Sequence, residues 1–357
     1  MVGPAEDSLE GQTLHMRVVI RAPNWLGDAV MALPTIASVR RHFSEATLAV
    51  AAPQPLAPLY DAVDGIDEVV PLPMNGAGLL RPLSHAATLR HGRFDVAVLL
   101  PNSFAAAVAA ARAGVAERWG ARTDFRAPLL TRAVKPPRRE GRARHQSGYY
   151  QDLIRALGIE PLELEPRVVA TDAMRTRADV LLTAAGVTSE APLVALAPGA
   201  AYGRAKRWPP ERYAQLARQL SETGATCLLV GSQADQGTAR EIESVLSSSA
   251  DRAEGAGIID LIGRTDLGAL VGLLARCRGF VTNDSGAMHL AAAAGVPVTA
   301  IFGPTDELAT APLGTHEIIT HPVFCRPCLL RECPIDHRCM RGIDVERVFA
   351  AVNRFRH

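Results

Sequence analysis

The feature that most constrains the fold is a repeated alternation of short apolar segments with segments of helical periodicity. The apolar runs predict buried strands, and the segments between them place apolar side chains at helical spacing. The predicted strands are 17–20, 47–52, 67–72 and 94–100 in the first half, and 193–197, 226–230, 258–261, 279–282 and 297–302 in the second. Strands that alternate with helices form parallel sheets with helices on both faces. The sequence therefore predicts an α/β protein.

A segment without helical pattern separates the two halves. Residues 159–171 include prolines and are interpreted as an interdomain linker. The 357 residues suffice for two domains. We expect Rossmann-like parallel-sheet domains at 16–165 and 171–340, and a C-terminal helix within 341–357 that packs back on the first domain. Two such domains leave a ligand cleft at the carboxyl ends of their strands.

Composition excludes several classes of protein. Lys plus Arg is 38 and Asp plus Glu is 37, and a net charge of +1 does not fit a generally basic nucleic-acid binder. Six cysteines are too few for a disulfide-stapled secreted scaffold. Residues 1–15 lack the apolar region of a signal peptide, and the longest apolar stretch, 290–302, is too short to span a bilayer. We expect a cytoplasmic protein.

Small and polar residues follow the predicted strands of the second half. The strongest signal is the turn Asp284, Ser285, Gly286, which opens a helix after the strand 279–282. Backbone N–H groups and the positive end of the helix dipole at such a turn favour a diphosphate. His289, one turn further on, could donate to the same anion. The alternative is an ordinary helix cap with a packed histidine.

Three further loops would lie at the same sheet edge. The loop 197–209 carries Lys206, a compact charge that suits a phosphate, just before a helix. The loops 230–235 and 301–306 follow two other strands. Each of these loops could be a solvated connection, but one ligand site explains all of them together.

The first half contributes a candidate base. The loop 21–28 ends in Asp28 at the start of a helix, where the dipole stabilises a carboxylate. A carboxylate facing the cleft can accept a proton from a hydroxyl nucleophile, whereas the alternative is a simple helix cap. Neither a Gly-x-Gly-x-x-Gly after the first strand nor a Gly-x4-Gly-Lys-Ser/Thr occurs, which disfavours a nicotinamide enzyme and a P-loop NTPase.

Four cysteines lie close together near the C-terminus. They are Cys325, Cys328, Cys333 and Cys339. Closely spaced cysteines in a reducing compartment indicate a structural zinc site. The alternatives are buried thiols or an occasional disulfide. No cofactor is expected to be required for catalysis.

In this combination and order, the motifs resemble those of the bacterial lipopolysaccharide heptosyltransferases, glycosyltransferase family 9, and most closely the heptosyltransferase II branch. The resemblance runs from about 16 to 355. It is carried by APNWLGD (22–28), APGAAYGRAKRWP (197–209), LLVGSQAD (228–235), TNDSGAMHLAAAAGVP (282–297), FGPTD (302–306) and CRPCLLRECPIDHRCM (325–340). It implies a GT-B fold, in which an acceptor-binding and an ADP-heptose-binding domain face a central cleft.

The resemblance further implies transfer of L-glycero-D-manno-heptose, with inversion, from ADP-heptose to the first heptose of the inner core on lipid A. It places the general base on Asp28 and a phosphate-contacting catalytic lysine on Lys206. Besides Lys206, the predicted substrate-binding residues are Asn24, Gly27, Gly199, Ala201, Tyr202, Gln233, Thr265, Asp284, Ser285, Gly286 and His289. The alternatives are heptosyltransferase I, a later core heptosyltransferase, or a non-catalytic nucleotide-binding protein of the same fold.

Residues 112–145 concentrate positive charge. The acids there are Glu117, Asp124 and Glu140, and the bases are Arg112, Arg118, Arg122, Arg126, Arg132, Lys135, Arg138, Arg139, Arg142 and Arg144. We expect this stretch to hold the phosphorylated lipid A–core acceptor at the inner face of the inner membrane; the alternative is a solvated face. Nucleic acid is not an expected partner, and the sequence does not decide the oligomeric state.

Overall fold

The computed structural model describes residues 15–75, 80–137, 145–163, 165–187, 192–248 and 258–355. Its strands are β1 (Arg17–Arg21), β2 (Thr47–Pro53), β3 (Glu68–Leu72), β4 (Val96–Leu99), β5 (Glu117–Ala121), β6 (Arg132–Val134), β7 (Leu193–Ala197), β8 (Thr226–Leu229), β9 (Ile258–Asp260), β10 (Cys277–Asn283), β11 (Val298–Phe302) and β12 (His316–Thr320).

The helices lie between these strands and at the C-terminus. They are α1 (Leu26–Met31), α2 (Leu33–His42), α3 (Ala57–Tyr60), α4 (Leu80–His91), α5 (Phe104–Arg112), α6 (Gln146–Ala156), α7 (Asp172–Ala184), α8 (Pro210–Glu222), α9 (Gln236–Ser248), α10 (Leu267–Leu274), α11 (Gly286–Ala293), α12 (Glu307–Thr310), α13 (Arg338–Arg341) and α14 (Val345–Arg354). Among the residues just given, no helix combines the length and the apolar character needed to cross a membrane.

The two halves of the chain form sheets of the same topology. The N-terminal sheet has the order β3-β2-β1-β4-β5-β6, and the C-terminal sheet has the order β12-β11-β10-β7-β8-β9. Their strand pairings are parallel, so that Val19, for example, lies opposite Ala49 on one side and Ala97 on the other. The strand order reverses between β1 and β4 and between β7 and β10. Doubly wound sheets bind ligands outside the carboxyl ends of the strands at such a point. The predicted α/β architecture is confirmed.

Apolar packing connects the two halves. Every residue of β4 and of β7 is buried, as expected for strands covered on both faces. One hydrophobic cluster contains Ile20 of β1 together with Met288 and Leu290 of α11. In the segment between α6 and α7, the amide of Val168 donates to the carbonyl of Ala293 at 2.8 Å. The start of α1 also lies against α11.

The sequence predicts one helix over 28–42, whereas the structure contains α1 and α2, separated at Ala32. Pro34 explains the break. It has no N–H to donate to the carbonyl of Val30, and its ring would clash with that carbonyl in a continuous helix. The strands β5, β6 and β12 and the helix α3 are further elements that the apolar pattern does not predict.

The expected packing of the C-terminal helix on the N-terminal domain is wrong. The buried face of α14, which includes Val345 and Val348, joins a cluster with Trp208 and Tyr213 of the C-terminal half. Indole Nε1 of Trp208 also donates to the carbonyl of Ile343 at 3.1 Å. The amphipathic helix has an apolar surface to cover directly beside its own sheet, so it does not return to the first half.

Candidate active site

Three predicted residues lie at the carboxyl edges of the two sheets, where the strand order reverses. Asp28 is in the first turn of α1, which follows β1. Lys206 is in the loop after β7, and Asp284 directly follows β10. Because α1 packs against α11, the structure brings the loops of the two halves together in one site.

Two glycines allow the close approach of α1 and α11. A Cβ atom at Gly286 would lie 2.8 Å from Cβ of Leu26 and 3.0 Å from the backbone nitrogen of Gly27. A Cβ atom at Gly27 would in turn lie 3.0 Å from Cδ2 of His289. Side chains at these positions would hold the helices apart. The absence of Cβ atoms therefore places Asp28 next to the turn that begins α11.

Lys206 is held by a carboxylate. Its Nζ donates to Oδ2 of Asp284 at 2.5 Å, and the hydroxyl of Thr305 donates to the same oxygen at 2.7 Å. The side chains of Lys206 and Asp284 are only 12% and 7% exposed. Nζ also lies 4.7 Å from the ring centroid of Tyr202. Asp284 thus positions the ammonium group of Lys206. It does not act as the helix cap that the sequence left open as an alternative.

The first turn of α11 has no side-chain cap in the part of the chain that the structure describes. Ser285 occupies the N-cap position, but its hydroxyl pairs with the hydroxyl of Thr282 at 3.1 Å and caps no backbone N–H. A helix start of this kind presents N–H groups and a partial positive charge to an anion. Lys206 and the start of α11 are therefore two cationic features at one sheet edge.

His289 lies just inside α11 and is only 5% exposed. Burial lowers the pKa of His289 to about 4, although the nearby carboxylate of Asp284 acts in the opposite direction. The imidazole is therefore neutral at neutral pH. It can donate a single N–H, but it adds no charge to the site.

Asp28 has a partner that the sequence does not reveal. The hydroxyl of Tyr150, on α6, donates to Oδ1 of Asp28 at 3.1 Å. Burial, and secondarily the Asp28 carboxylate, raise the pKa of Tyr150 above its ordinary value, so the phenol stays protonated and remains a donor. In the sequence Tyr150 is one position in an amphipathic helix, and nothing local connects it to the loop after β1.

Several other predicted residues serve the structure of the loops. Asn24 accepts a hydrogen bond from Arg21 at 2.5 Å through its side-chain oxygen. A Cβ atom at Gly199 would lie 2.4 Å from Oδ1 of Asp235, so this glycine permits close packing of two loops. Ala201 is exposed in the turn that precedes Lys206.

The loops after β8 and β9 also meet at this edge. Gln233 follows β8, and Thr265 lies between β9 and α10. Gly263 permits the close approach of these two loops, because a Cβ atom there would lie 2.4 Å from Oε1 of Gln233.

Asn283 was not predicted as a site residue. Its Nδ2 donates to the carbonyl of Pro198 at 2.8 Å and so holds the loop after β7 against β10.

The four cysteines all line one cavity beside the loop that carries Lys206. The amide of Ala205 donates to the carbonyl of Arg331 at 3.0 Å, which connects the cysteine-containing segment 325–339 to that loop. Within the described residues, no three His, Cys, Asp or Glu side chains are arranged to hold a metal ion. The zinc site therefore stays a prediction.

The basic stretch is not one solvated face. Residues 138–144 lie outside the described residues, but several of the others have structural roles. Arg126 is fully buried. Nε of Arg118 donates to the carbonyl of Leu129 at 2.7 Å, and the guanidinium of Arg132 lies 3.8 Å from the ring centroid of Trp119. These contacts stabilise β5 and β6 and leave fewer cations for an acceptor.

Comparisons with known proteins identify the family of the chain. Residues 83–338 match the model of glycosyltransferase family 9 (heptosyltransferase). The chain is 33% identical over 307 residues to lipopolysaccharide heptosyltransferase 2 of Salmonella typhimurium, which covers 84% of this chain and 86% of that protein. The identity to lipopolysaccharide heptosyltransferase 2 of Escherichia coli K12 is 32% over 308 residues, with the same coverage of 84% and 86%.

Two solved structures share the fold. The structure of E. coli ADP-heptose lipopolysaccharide heptosyltransferase II has a TM-score of 0.79 and 28% identity, and covers 95% of this chain and 98% of its own. A family 9 glycosyltransferase from Veillonella parvula has a TM-score of 0.80 and 20% identity, and covers 95% of this chain and 97% of its own.

Proposed function

The chain belongs to glycosyltransferase family 9, and from that premise we propose that it is a heptosyltransferase II, which transfers L-glycero-D-manno-heptose from ADP-heptose to the first heptose of the lipopolysaccharide inner core. Its fold is GT-B, and it is a glycosyltransferase similar to heptosyltransferase 2 proteins. One observation carries the proposed reaction: Asp28 of one half lies next to the start of α11, beside Lys206, in the other half.

The C-terminal half supplies the groups that a nucleotide diphosphate needs. The N–H groups at the start of α11 and the Nζ atom of Lys206 bind the diphosphate of the donor. As the bond between the anomeric carbon and the phosphate oxygen breaks, negative charge grows on ADP. Lys206, already positioned by Asp284, stabilises that charge without having to reorganise.

The N-terminal half supplies the base. Asp28 accepts the proton of the acceptor hydroxyl while the oxygen attacks the anomeric carbon from the face opposite the diphosphate. One new glycosidic bond forms, one bond to phosphate breaks, and the proton goes to Asp28. A single displacement inverts the anomeric configuration. Tyr150 keeps the Asp28 carboxylate in place through the hydrogen bond to Oδ1.

The acceptor would be the core saccharide on lipid A, so the enzyme would act from the cytoplasm at the inner face of the inner membrane. Relatives of this chain are named lipopolysaccharide heptosyltransferase 2 or lipooligosaccharide heptosyltransferase 2, and these names support this acceptor. Exposed cations near β5 and β6, such as Arg122 and Lys135, are available for its phosphates.

The decisive experiment supplies purified protein with ADP-heptose and lipid A precursors that bear either no heptose or one heptose. Mass spectrometry should show addition of one heptose to the one-heptose precursor alone. Addition only to the heptose-free precursor would identify a heptosyltransferase I instead. Asp28→Asn should still bind ADP but lose transfer. ADP binding by the wild type without any transfer would indicate a non-catalytic nucleotide-binding protein.

A further inference from the structure

The loop after β5 exposes an aromatic side chain in an unusual backbone conformation. Phe125 is 95% exposed. Phe125 and the preceding Asp124 both have positive φ angles, of 54° and 49°. Residues other than glycine rarely adopt this left-handed region, and consecutive instances persist only where surrounding contacts enforce them. A fully exposed phenyl ring adds nothing to the core, so folding alone does not explain its presentation.

Contacts on either side fix this loop. Oδ2 of Asp124 accepts a hydrogen bond from the backbone N–H of Phe104 at 2.7 Å, which ties the loop to the start of α5. Arg126 is completely buried, and its Nε donates to the carbonyl of Ala121 at 2.8 Å. Its Nη1 donates to the carbonyl of Pro101, after β4. The backbone around Phe125 is thus fixed by its neighbours, while the phenyl ring itself is exposed to solvent.

A chain of side-chain contacts links Arg126 to the proposed base, Asp28. Nη2 of Arg126 donates to Oδ1 of Asn102 at 3.3 Å, and Nδ2 of Asn102 donates to the hydroxyl of Tyr149. The ring of Tyr149 packs edge-on against Tyr150, with centroids 5.6 Å apart, and Tyr150 donates to Asp28. Since β5 is the second strand from β1, the two loops start about 10 Å apart.

We propose that Phe125 contacts the acceptor, and that its ring packs against the apolar C–H face of a core sugar other than the one that attacks. This inference rests on the proposed function, because it needs a saccharide acceptor with its reacting hydroxyl at Asp28. The separation of the two loops exceeds the length of one sugar ring, so the contact is made to a neighbouring sugar. A remote contact of this kind contributes binding energy that helps to orient the reacting hydroxyl.

A saccharide fits the rigid presentation better than a lipid surface does. A fluid bilayer accepts an aromatic side chain in any orientation, so it gives no reason to enforce two left-handed residues. A sugar at a defined distance from the base needs a ring at a defined place. A pre-organised aromatic side chain also loses little conformational entropy on binding.

The test compares Phe125→Ala with wild type on a water-soluble, de-acylated acceptor that bears one heptose. Loss of the ring should raise KM for the acceptor by about tenfold, on the scale of an aromatic contact residue, while KM for ADP-heptose stays unchanged. Phe125→Trp should restore most of the affinity, because it keeps a flat apolar face. Leu80→Ala is the matched control, since Leu80 is 66% exposed in the same half, and should leave both constants unchanged.

Two outcomes would overturn the proposal. One is an unchanged acceptor KM in Phe125→Ala for both soluble and acylated acceptors. The other is a defect confined to acylated acceptor in anionic vesicles, which would assign Phe125 to the lipid surface. Saturation-transfer NMR of the de-acylated saccharide, on wild type and Phe125→Ala, measures the contact without catalysis. Binding that depends on Phe125 in a protein without transfer would support the contact while the proposed reaction fails.

Discussion

Replacing Gly286 by alanine would separate the two halves of the site. The new Cβ atom would lie 2.8 Å from Cβ of Leu26 and 3.0 Å from the backbone nitrogen of Gly27. Carbon atoms in contact normally lie about 3.5–4.0 Å apart. The backbone atoms of α1 and α11 cannot rotate away as a long side chain would, so the helix starts must move apart by about 1 Å.

That displacement would act on the base rather than on the diphosphate site. Asp28 moves with α1, whereas Lys206 and the N–H groups of α11 keep their places relative to each other. Misplacing a catalytic group by about 1 Å costs on the order of 100-fold in rate. We therefore expect kcat of Gly286→Ala to fall by about 100-fold, with a change in ADP affinity of less than about tenfold.

The assay would measure heptose transfer at saturating substrates, ADP binding by calorimetry, and the thermal unfolding midpoint. Gly237→Ala is the control, because the substitution falls within α9 and, among the described residues, no heavy atom beyond its neighbours and the backbone of its own helix lies within 4 Å of its Cβ position. It should leave kcat unchanged. The reasoning would be refuted if Gly286→Ala folded as wild type does and kept kcat within about twofold, well below the 100-fold cost of misplacement.

Three further predictions concern charge, orientation and metal. The pKa of His289 is lowered from 6.5 to about 4, so between these pH values the unfolded chain binds more protons than the folded chain, and the free energy of unfolding falls as the pH decreases. Between pH 7 and pH 5 this histidine lowers the free energy of unfolding by about 2 kcal/mol. His289→Gln should flatten this part of the urea-unfolding profile, and an unchanged slope would contradict the assignment. Tyr150→Phe should lower kcat by about tenfold at unchanged donor KM, because Asp28 loses a hydrogen bond to its charged form; a wild-type kcat would remove Tyr150 from the site. Metal analysis should find zinc if the four cysteines bind it, and less than about 0.2 zinc per chain would argue against a tight structural site.

The alternation of strands and helices was predictable because fully buried strands read as continuous apolar runs. β4 and β7 are of this kind. β5 and β6 were not found, because neither is a continuous apolar run. β5 begins with Glu117 and Arg118, and β6 has only three residues, of which the first is the exposed Arg132. The break between α1 and α2 was missed although Pro34 marks it, since proline is also tolerated in the first turn of a helix.

The candidate site was predictable to the extent that its residues follow strands in the sequence. Asp28, Lys206 and Asp284 were found in this way, because parallel strands place their carboxyl ends at one edge. Their mutual contacts were not. The pair of Lys206 with Asp284 and the bond of Tyr150 to Asp28 join residues far apart in the chain. A single sequence does not show which residues distant in the chain will contact each other in the fold.

The bond between Lys206 and Asp284 has a consequence for discrimination among anions. Without a donor, the ammonium charge is already neutralised by the carboxylate, and Thr305 adds a further hydrogen bond to that carboxylate. A small monoanion such as chloride would gain little from this lysine, because it would have to compete with Asp284. A diphosphate carries more charge and reaches the start of α11 as well. Without a donor bound, the protein should therefore bind small inorganic anions only weakly. It should bind a ligand that is long enough to contact both Lys206 and the N–H groups at the start of α11.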